Sequence, residues 1–353
     1  MDIPPLPAGI SETLHSLGLG NLHPHSVEKL PGRNGNVGGI TDTGRSVFAK
    51  KLVGTDSERR LRQLITFETA YRERLRQGMR TPRCLGWSHE HTTVVFERIE
   101  GARSGADLAS EGGFDEGLAH ELGRSIGCLH VVKPDEEVSG TSPTRTHVGA
   151  DLFEALPLKY YEQASGGTLE AWRLLHRDPS TAGGVRALRT ESSRAPGALV
   201  HGDLRLDQLL VRGEDVYICD WEEMAVEDPA LDVGAFAGEW LHRSVLEIPA
   251  ARPGPQDDPA ETHRWIVDGG TKALARTRTR NAAFWDGYAA SVGRVHPELA
   301  ARAAGYAGLH LLGRVLAKAE GQAALHTVDR MAIGIGTVAL KNPGRFVTAL
   351  GLG

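Results

Sequence analysis

The sequence lacks the features that define several large protein classes. It has three cysteines in 353 residues and none in a Cys-x-x-Cys pair, which argues against a disulfide scaffold or a cysteine-based zinc site. It has no uninterrupted apolar run of about 18 residues, so we expect no transmembrane helix and no membrane association. The first residues contain early prolines and no basic start before an apolar run, which predicts no signal peptide. We therefore expect a soluble, cytoplasmic protein.

A strong excess of one charge is also missing. The chain has 40 Lys and Arg against 45 Asp and Glu, a net charge of −5, which does not favour a nucleic-acid partner. The His-Glu-x-x-His motif of zinc proteases, the Gly-x-Ser-x-Gly elbow of hydrolases and the Gly-x-x-x-x-Gly-Lys phosphate loop are absent as well. These enzyme classes are therefore disfavoured.

The order of the predicted elements indicates an α+β protein. Strand patterns alternate with turn signals up to about residue 100, and Asp42-Thr43-Gly44 marks a hairpin between two of the strands. The remainder is mostly helical and is interrupted by one strand–turn–strand unit. We predict a strand-rich N-terminal lobe at 1–100 and a helical C-terminal lobe at 101–353.

Oxygen-bearing side chains follow two short apolar strands in the segment 199–222. Asp203 follows the first strand, Asp220 follows the second, and Gln208 lies five positions after Asp203. A single Asp in such a place ordinarily caps a turn, but the paired strands and their spacing favour a site. If the strands are neighbours, these oxygens form a donor set that suits Mg²⁺. The carboxylate of Asp203 is then free to accept a hydroxyl proton.

This segment resembles the catalytic and metal loops of the aminoglycoside phosphotransferase and choline kinase family, which are relatives of the protein kinases. The resemblance rests on His201-Gly202-Asp203, an amide residue five positions later, a short hairpin, and Asp220-Trp221. It implies a bilobal protein-kinase-like fold and the cofactors ATP and Mg²⁺. The lobe at 1–100 would then bind the nucleotide, and the lobe at 101–353 would hold the catalytic loop and the acceptor site. It also implies that Asp203 is the catalytic base and that Gln208 and Asp220 bind the metal.

Two positions depart from the usual pattern of that family. Most members have Asn where Gln208 stands, although maltokinase-like members also have Gln, so the longer side chain must fold back to reach the ion. Arg205 stands two positions after the base, where protein kinases have Lys and antibiotic kinases often have His. We expect the guanidinium of Arg205 to balance charge on the transferred phosphoryl group.

A glycine-rich stretch is the candidate cover for the nucleotide phosphates. The sequence PGRNGNVGG is too rich in glycine for a regular strand interior, so we predict a turn there. The backbone N–H groups of Gly35, Asn36 and Gly38 would then face the phosphates. The stretch lacks the Gly-x-Gly-x-x-Gly spacing.

The strand that follows ends in two adjacent lysines, one of which is expected to hold the α- and β-phosphates. The Val-Ala-Ile-Lys pattern of kinases favours Lys50, whereas the shorter Ala-x-Lys fragment favours Lys51. Lys50 is the preferred choice and Lys51 stays open. Glu68 lies on the apolar stripe of a helix running from about 57 to 77, where an unpaired charge would be costly. We therefore predict that Glu68 steadies the phosphate-binding lysine.

The segment Phe96-Glu97-Arg98-Ile99 precedes the link between the predicted lobes. The family resemblance implies that backbone groups of Glu97 and Ile99 bind the adenine edge. His130 closes a helix and matches a family motif, but it is read as a packing residue.

Most of the chain also resembles the kinase-like subunits of class V lanthipeptide and thioamitide biosynthesis, in stretches such as GRNGNVGG, VFAKKLVG, TPRCLGW and HGDLRLDQLLV. That resemblance implies phosphorylation of Ser and Thr in a ribosomal precursor peptide, after which a separate HopA-type lyase removes the phosphate to leave a dehydroamino acid. Two alternatives remain open. One is a kinase for an aminoglycoside, sugar or amino alcohol, and the other is a pseudokinase scaffold that binds without transfer.

Overall fold

The computed structural model describes residues 6–32, 34–135, 150–250 and 259–353. The strands, in chain order, are β1 Glu28–Leu30, β2 Gly35–Ile40, β3 Ser46–Lys51, β4 Cys84–Ser88, β5 Thr93–Glu97, β6 Arg103–Ser104, β7 Ala198–Val200, β8 Leu209–Arg212, β9 Asp215–Ile218 and β10 Ala225–Glu227. The helices are α1 Ile10–Ser16, α2 Ser57–Thr66, α3 Arg72–Leu75, α4 Gly105–Ser110, α5 Glu116–His130, α6 Leu158–Gln163, α7 Gly166–His176, α8 Pro179–Ser192, α9 Ala230–Ala250, α10 Pro259–Val292, α11 Leu299–Ala319, α12 Thr327–Lys341 and α13 Pro343–Leu350.

The chain divides into two compact units. The first comprises Met1–Ser110 together with Asp207–Met224, and the second comprises Glu111–Leu206 together with Ala225–Gly353. Strands dominate the first unit and helices the second. No helix in the described ranges is both long and apolar enough to cross a bilayer.

The main sheet of the first unit has the strand order β1-β2-β3-β5-β4, with antiparallel neighbours. The turn at 42–44 joins β2 to β3, which confirms the predicted hairpin. Successive side chains of a strand point to opposite faces. Val47 and Ala49 of β3 accordingly join a core cluster with residues of α1 on one face. Leu52, just after the strand, packs with Leu61 and Leu64 of α2 on the other face.

The predicted turn in the glycine-rich stretch is wrong for most of its length. Residues 35–40 form β2, paired with both β1 and β3. Glycine leaves room there for side chains of other segments. A Cβ on Gly35 would lie 2.9 Å from side-chain carbons of Pro7, and one on Gly38 would lie 3.0 Å from a guanidinium nitrogen of Arg98. Composition alone cannot distinguish close approach from a turn.

A smaller sheet in the first unit has the order β6-β8-β9. Strands β8 and β9 form an antiparallel hairpin, with Leu209 opposite Ile218 and Arg212 opposite Asp215. This hairpin confirms the predicted strand–turn–strand pattern, and it brings the residues just before β8 near those just after β9.

The second unit is a helical body that also contains the short pair β7 and β10. Helices α5 and α10 pack with their backbones in close contact, since a Cβ on Gly123 would lie 1.9 Å from the carbonyl oxygen of Phe284. Helix α11 is buried along most of its length and packs against α9 and α12. Strand β7 is fully buried and packs against α5, which fixes the start of the segment after it.

Candidate active site

The candidate catalytic loop starts where β7 ends, in the second unit. His201 is fully buried, and Gly202 has a φ of 85°, in the left-handed region that glycine favours. The backbone N–H of Asp203 donates to Nδ1 of His201 at 3.2 Å. A buried strand and a tight turn therefore position the Asp203 carboxylate. Its side chain is partly exposed, with 28% of its surface accessible.

A fully buried carboxylate, that of Asp232 at the start of α9, anchors this loop. Its two oxygens accept backbone N–H groups of His201 at 2.7 Å and of Gly202 at 3.0 Å. Burial alone would raise the pKa of Asp232, but the hydrogen bond from His130 and the nearby imidazoles lower it below its ordinary value. The carboxylate therefore stays charged and fixes the backbone before the catalytic residue.

His130 supports this anchor from α5. Its Nε2 lies 3.1 Å from an Asp232 oxygen, and its Nδ1 lies 3.1 Å from the hydroxyl of Tyr288 on α10. Both ring nitrogens have partners, so the ring is a satisfied interior group. This agrees with the interpretation of His130 as a packing residue.

Arg205 forms an ion pair with the candidate base. Its Nη1 lies 3.0 Å from one Asp203 oxygen and 3.2 Å from the other. About a quarter of each side chain is exposed, so solvent screens the pair. The guanidinium thus lies beside the carboxylate that the sequence assigns to proton transfer.

In the first unit, the structure brings Gln208 and Asp220 together at the open end of the β8–β9 hairpin. The backbone N–H of Cys219 donates to the carbonyl oxygen of Gln208 at 2.9 Å, and Asp220 follows immediately. Asp220 has a φ of 69°, which is unusual for a residue with a side chain and marks a sharp change of direction after β9. Both residues carry the oxygen atoms that Mg²⁺ prefers, so the donor set fits this ion. Across the described ranges, no cluster of three or more His, Cys, Asp and Glu forms a ready metal site.

The two open lysines have different partners. The ammonium of Lys50 forms ion pairs with Asp220 and, at 2.9 Å, with Glu222, while that of Lys51 donates to the carbonyl oxygen of His91. Burial lowers the pKa of Lys50, but the charges and hydrogen bonds of Asp220 and Glu222 outweigh it and raise the pKa above its ordinary value. The structure therefore places Lys50, not Lys51, beside the predicted metal ligand.

Glu68 does not make the predicted contact with Lys50 in the part of the chain that is described. It lies in a π-helical turn, Phe67–Tyr71, between α2 and α3, and its carboxylate lies 3.4 Å from Nε of Arg72. The preceding Phe67 stacks on Trp221 with ring centroids 3.8 Å apart. The prediction that Glu68 is buried is confirmed, since 6% of its side chain is exposed, but its partner was assigned wrongly.

This burial predicts a pH-dependent stability. Burial raises the pKa of Glu68 to about 7, and Arg72 lowers it only in part. The folded protein therefore holds the proton more tightly than the unfolded chain, so the stabilisation is complete below pH 4.5 and is lost as pH rises through 7. Between pH 5 and pH 7.5 we expect the free energy of unfolding of the wild type to fall by about 2 kcal/mol. Glu68→Gln should not show this fall, because glutamine does not titrate.

Urea denaturation at the two pH values measures this difference. Glu73→Gln is the matched control, because Glu73 lies on α3 with 81% of its side chain exposed. An equal loss of stability in wild type and Glu68→Gln would show that Glu68 does not titrate in this range.

The remaining predicted nucleotide contacts lie around the main sheet. Gly35, Asn36 and Gly38 lie in β2, and the Asn36 amide donates to the carbonyl of Pro31 at 3.0 Å. Glu97 ends β5, and Ile99 helps to line a shallow cavity of about 290 Å³. Their contacts with a nucleotide stay predictions.

Sequence reasoning missed two residues of this site, Glu222 and Arg60. Glu222 is the second residue after Asp220, and Arg60 is a charged residue of α2. Arg60 is 1% exposed and its Nη1 lies 2.9 Å from Oε1 of Glu222. Its position four residues before Leu64 was the available signal, since it places Arg60 on the buried face of α2.

Comparison with known proteins identifies what the chain is similar to. The family model described as "Phosphotransferase enzyme family" (APH) matches residues 40–263, more than half of the chain. No curated protein matches the sequence.

Similar solved structures share the fold. Choline kinase LicA from Streptococcus pneumoniae is 15% identical, with a TM-score of 0.51 over 89% of this chain and 92% of that one. A choline/ethanolamine kinase family protein from Mesorhizobium loti is 16% identical, with a TM-score of 0.52 over 93% and 92%. Amicoumacin kinase hAmiN, solved with AMP-PNP, Ca²⁺ and Ami, is 12% identical, with a TM-score of 0.51 over 93% and 91%. The predicted α+β, protein-kinase-like fold is confirmed.

Proposed function

Because this chain belongs to the phosphotransferase enzyme family, we propose that it transfers the γ-phosphoryl group of ATP to an alcohol hydroxyl. The observation that carries the proposal is the ion pair of buried Lys50 with half-buried Asp220 in the first unit. It puts a cation suited to phosphate oxygens beside a carboxylate suited to a divalent metal ion.

Each residue near that pair has a proposed role in binding the nucleotide. Lys50 binds the α- and β-phosphates, and the oxygens of Asp220 and Gln208 hold Mg²⁺. The ion, when bound, would neutralise part of the phosphate charge. Backbone groups of β2 approach the phosphates, and those of Glu97 and Ile99 bind adenine.

Asp203 and Arg205 are proposed to act on the acceptor. The Asp203 carboxylate orients the acceptor hydroxyl and takes its proton while the hydroxyl oxygen bonds to the γ-phosphorus. The bond between that phosphorus and the bridging oxygen breaks at the same time, and ADP leaves. Arg205 stabilises the charge of the transferred group, for which its position beside Asp203 is suited.

The acceptor we propose is Ser or Thr of a ribosomal precursor peptide. The support is the resemblance of long stretches of the chain to kinase-like subunits of class V lanthipeptide biosynthesis, together with the basic residue beside the base. A separate HopA-type lyase would then remove the α-proton and expel phosphate from the β-carbon, which leaves the double bond of a dehydroamino acid.

The second candidate is a small-molecule acceptor, which the printed names of the choline kinase and the amicoumacin kinase favour. A polycationic aminoglycoside would need free carboxylates in the helical unit. Two candidate carboxylates there are already paired: Glu154 forms an ion pair with Arg186, and Glu170 pairs with Arg330 at 2.6 Å.

Incubation with Mg²⁺ and γ-labelled ATP tests both acceptors. The acceptors are a panel of precursor peptides containing Ser and Thr, the same peptides with every Ser and Thr replaced by Ala, choline, and a set of aminoglycosides. We expect label on the native peptides only, with a phosphate added to Ser or Thr by mass spectrometry. Label on a small molecule alone would favour the second candidate. No transfer and no Mg-ATP binding would indicate a scaffold and contradict the proposed function.

A further inference from the structure

A buried carboxylate other than the predicted metal ligand and the predicted helix glutamate contacts the proposed phosphate-binding lysine. Oε2 of Glu222 lies 2.9 Å from Nζ of Lys50, and both side chains are almost fully buried, at 5% and 7% exposed. Glu222 follows Asp220 by two residues in a short 3₁₀ turn, Trp221–Glu223. Glu68 contacts Arg72 instead.

Arg60 of α2 fixes Glu222 from its other side. Its Nη1 donates to Oε1 of Glu222 at 2.9 Å, and its Nη2 donates to the carbonyl oxygen of Val53 at 2.6 Å. The side-chain oxygen of Asn34, in the turn before β2, lies 3.3 Å from Nη2 of Arg60. The Glu222 carboxylate thus sits between a guanidinium and an ammonium, and neither of its oxygens can move without breaking a buried ion pair.

Such an arrangement has a function beyond charge neutralisation. A lysine ammonium has three N–H donors; one of them is donated to Asp220, and the charge is also paired with Glu222 at 2.9 Å. Asp220 is the proposed ligand of a divalent cation, so its carboxylate has a second task. The ion pair with Glu222 can hold the ammonium in place while another of its donors faces a phosphate oxygen.

We propose that Glu222, fixed by Arg60, is the residue that positions Lys50 for nucleotide binding, in place of the helix glutamate Glu68. This inference rests on the proposed function, because it assigns Lys50 to the phosphates. Glu222 acts through Lys50 and touches neither the acceptor nor the transferred group.

A double-mutant cycle on Mg-ATP affinity tests the proposal in the full-length protein. Equilibrium dialysis gives the dissociation constant for wild type, Glu222→Gln, Lys50→Met and the double variant. We expect Glu222→Gln to weaken binding about tenfold. In the Lys50→Met background the same change should have less than a twofold effect, because its only target is gone.

Glu223→Gln is the matched control. Glu223 is the next residue, equally buried, and it pairs with Arg59 at 2.8 Å. We expect its affinity to stay within twofold of wild type. Thermal unfolding of each variant gives its folded fraction, and the dissociation constants are compared at a temperature where all of the proteins are folded.

Three results would overturn the proposal. One is an affinity for Glu222→Gln equal to that of Glu223→Gln, and another is an undiminished effect of Glu222→Gln without Lys50. The third is a larger loss in Glu68→Gln than in Glu222→Gln. Wild-type protein that binds no Mg-ATP and transfers no phosphate would instead overturn the proposed function, so the two failures are distinguishable.

Discussion

Replacing Asp203 by asparagine is expected to lower kcat about a thousandfold and to leave the Kd for Mg-ATP within twofold of wild type. The amide keeps the shape of the carboxylate but cannot accept the acceptor's proton. The Asp232 anchor holds the loop through the backbone of His201 and Gly202, so the substitution does not remove its hydrogen bonds. Single-turnover transfer from labelled ATP measures the chemical step, and equilibrium dialysis measures binding.

Asp207→Asn is the control for this experiment. Asp207 is an exposed carboxylate four positions further along the same segment, so it tests whether any loss of charge there slows transfer. Transfer retained in Asp203→Asn would remove Asp203 from the role of base. A parallel loss in both variants would point to the charge of the loop and not to one proton acceptor.

Replacing Lys50 by methionine is expected to lower kcat/KM for ATP about a hundredfold, whereas Lys51→Met should stay within threefold of wild type. The two lysines are adjacent on β3 but project to opposite faces of the sheet. Only the ammonium of Lys50 contacts Asp220 and Glu222. Methionine keeps the length of the side chain and removes the charge.

Lys50→Met also leaves the carboxylates of Asp220 and Glu222 without this cation, so we expect a lower unfolding temperature. The activity is therefore compared at a temperature where both variants are folded by circular dichroism. If Lys51→Met lost activity and Lys50→Met kept it, the shorter Ala-x-Lys register would be correct and the ion pair of Lys50 with Asp220 would have no part in nucleotide binding.

Local patterns were enough to predict the elements that carry the site. The turn at 42–44, strand β3 and the β8–β9 hairpin follow from alternation and turn residues, which act over a few positions. The face of Lys50 also follows from alternation, since Leu52 on the same side packs on α2. The partners of Lys50 on that face do not follow from alternation, because Glu222 is far away in the chain.

The errors have physical causes that local patterns do not show. Gly35 of β2 leaves room for the side chain of Pro7, and Glu68 is turned toward Arg72 in a π-helical segment that periodicity at 3.6 residues does not describe. Arg60 is a charged residue on a buried face, which composition treats as solvated. A contact between distant segments decides the outcome for Gly35 and Arg60, and a local departure from the regular helix decides it for Glu68.

Asp232 ties two successive peptide groups and an imidazole from another helix to a single carboxylate. The segment 201–203 therefore cannot change its orientation toward an acceptor of another size unless several of these hydrogen bonds break together. Redesign for a new acceptor should therefore leave 201–203, Asp232 and His130 untouched.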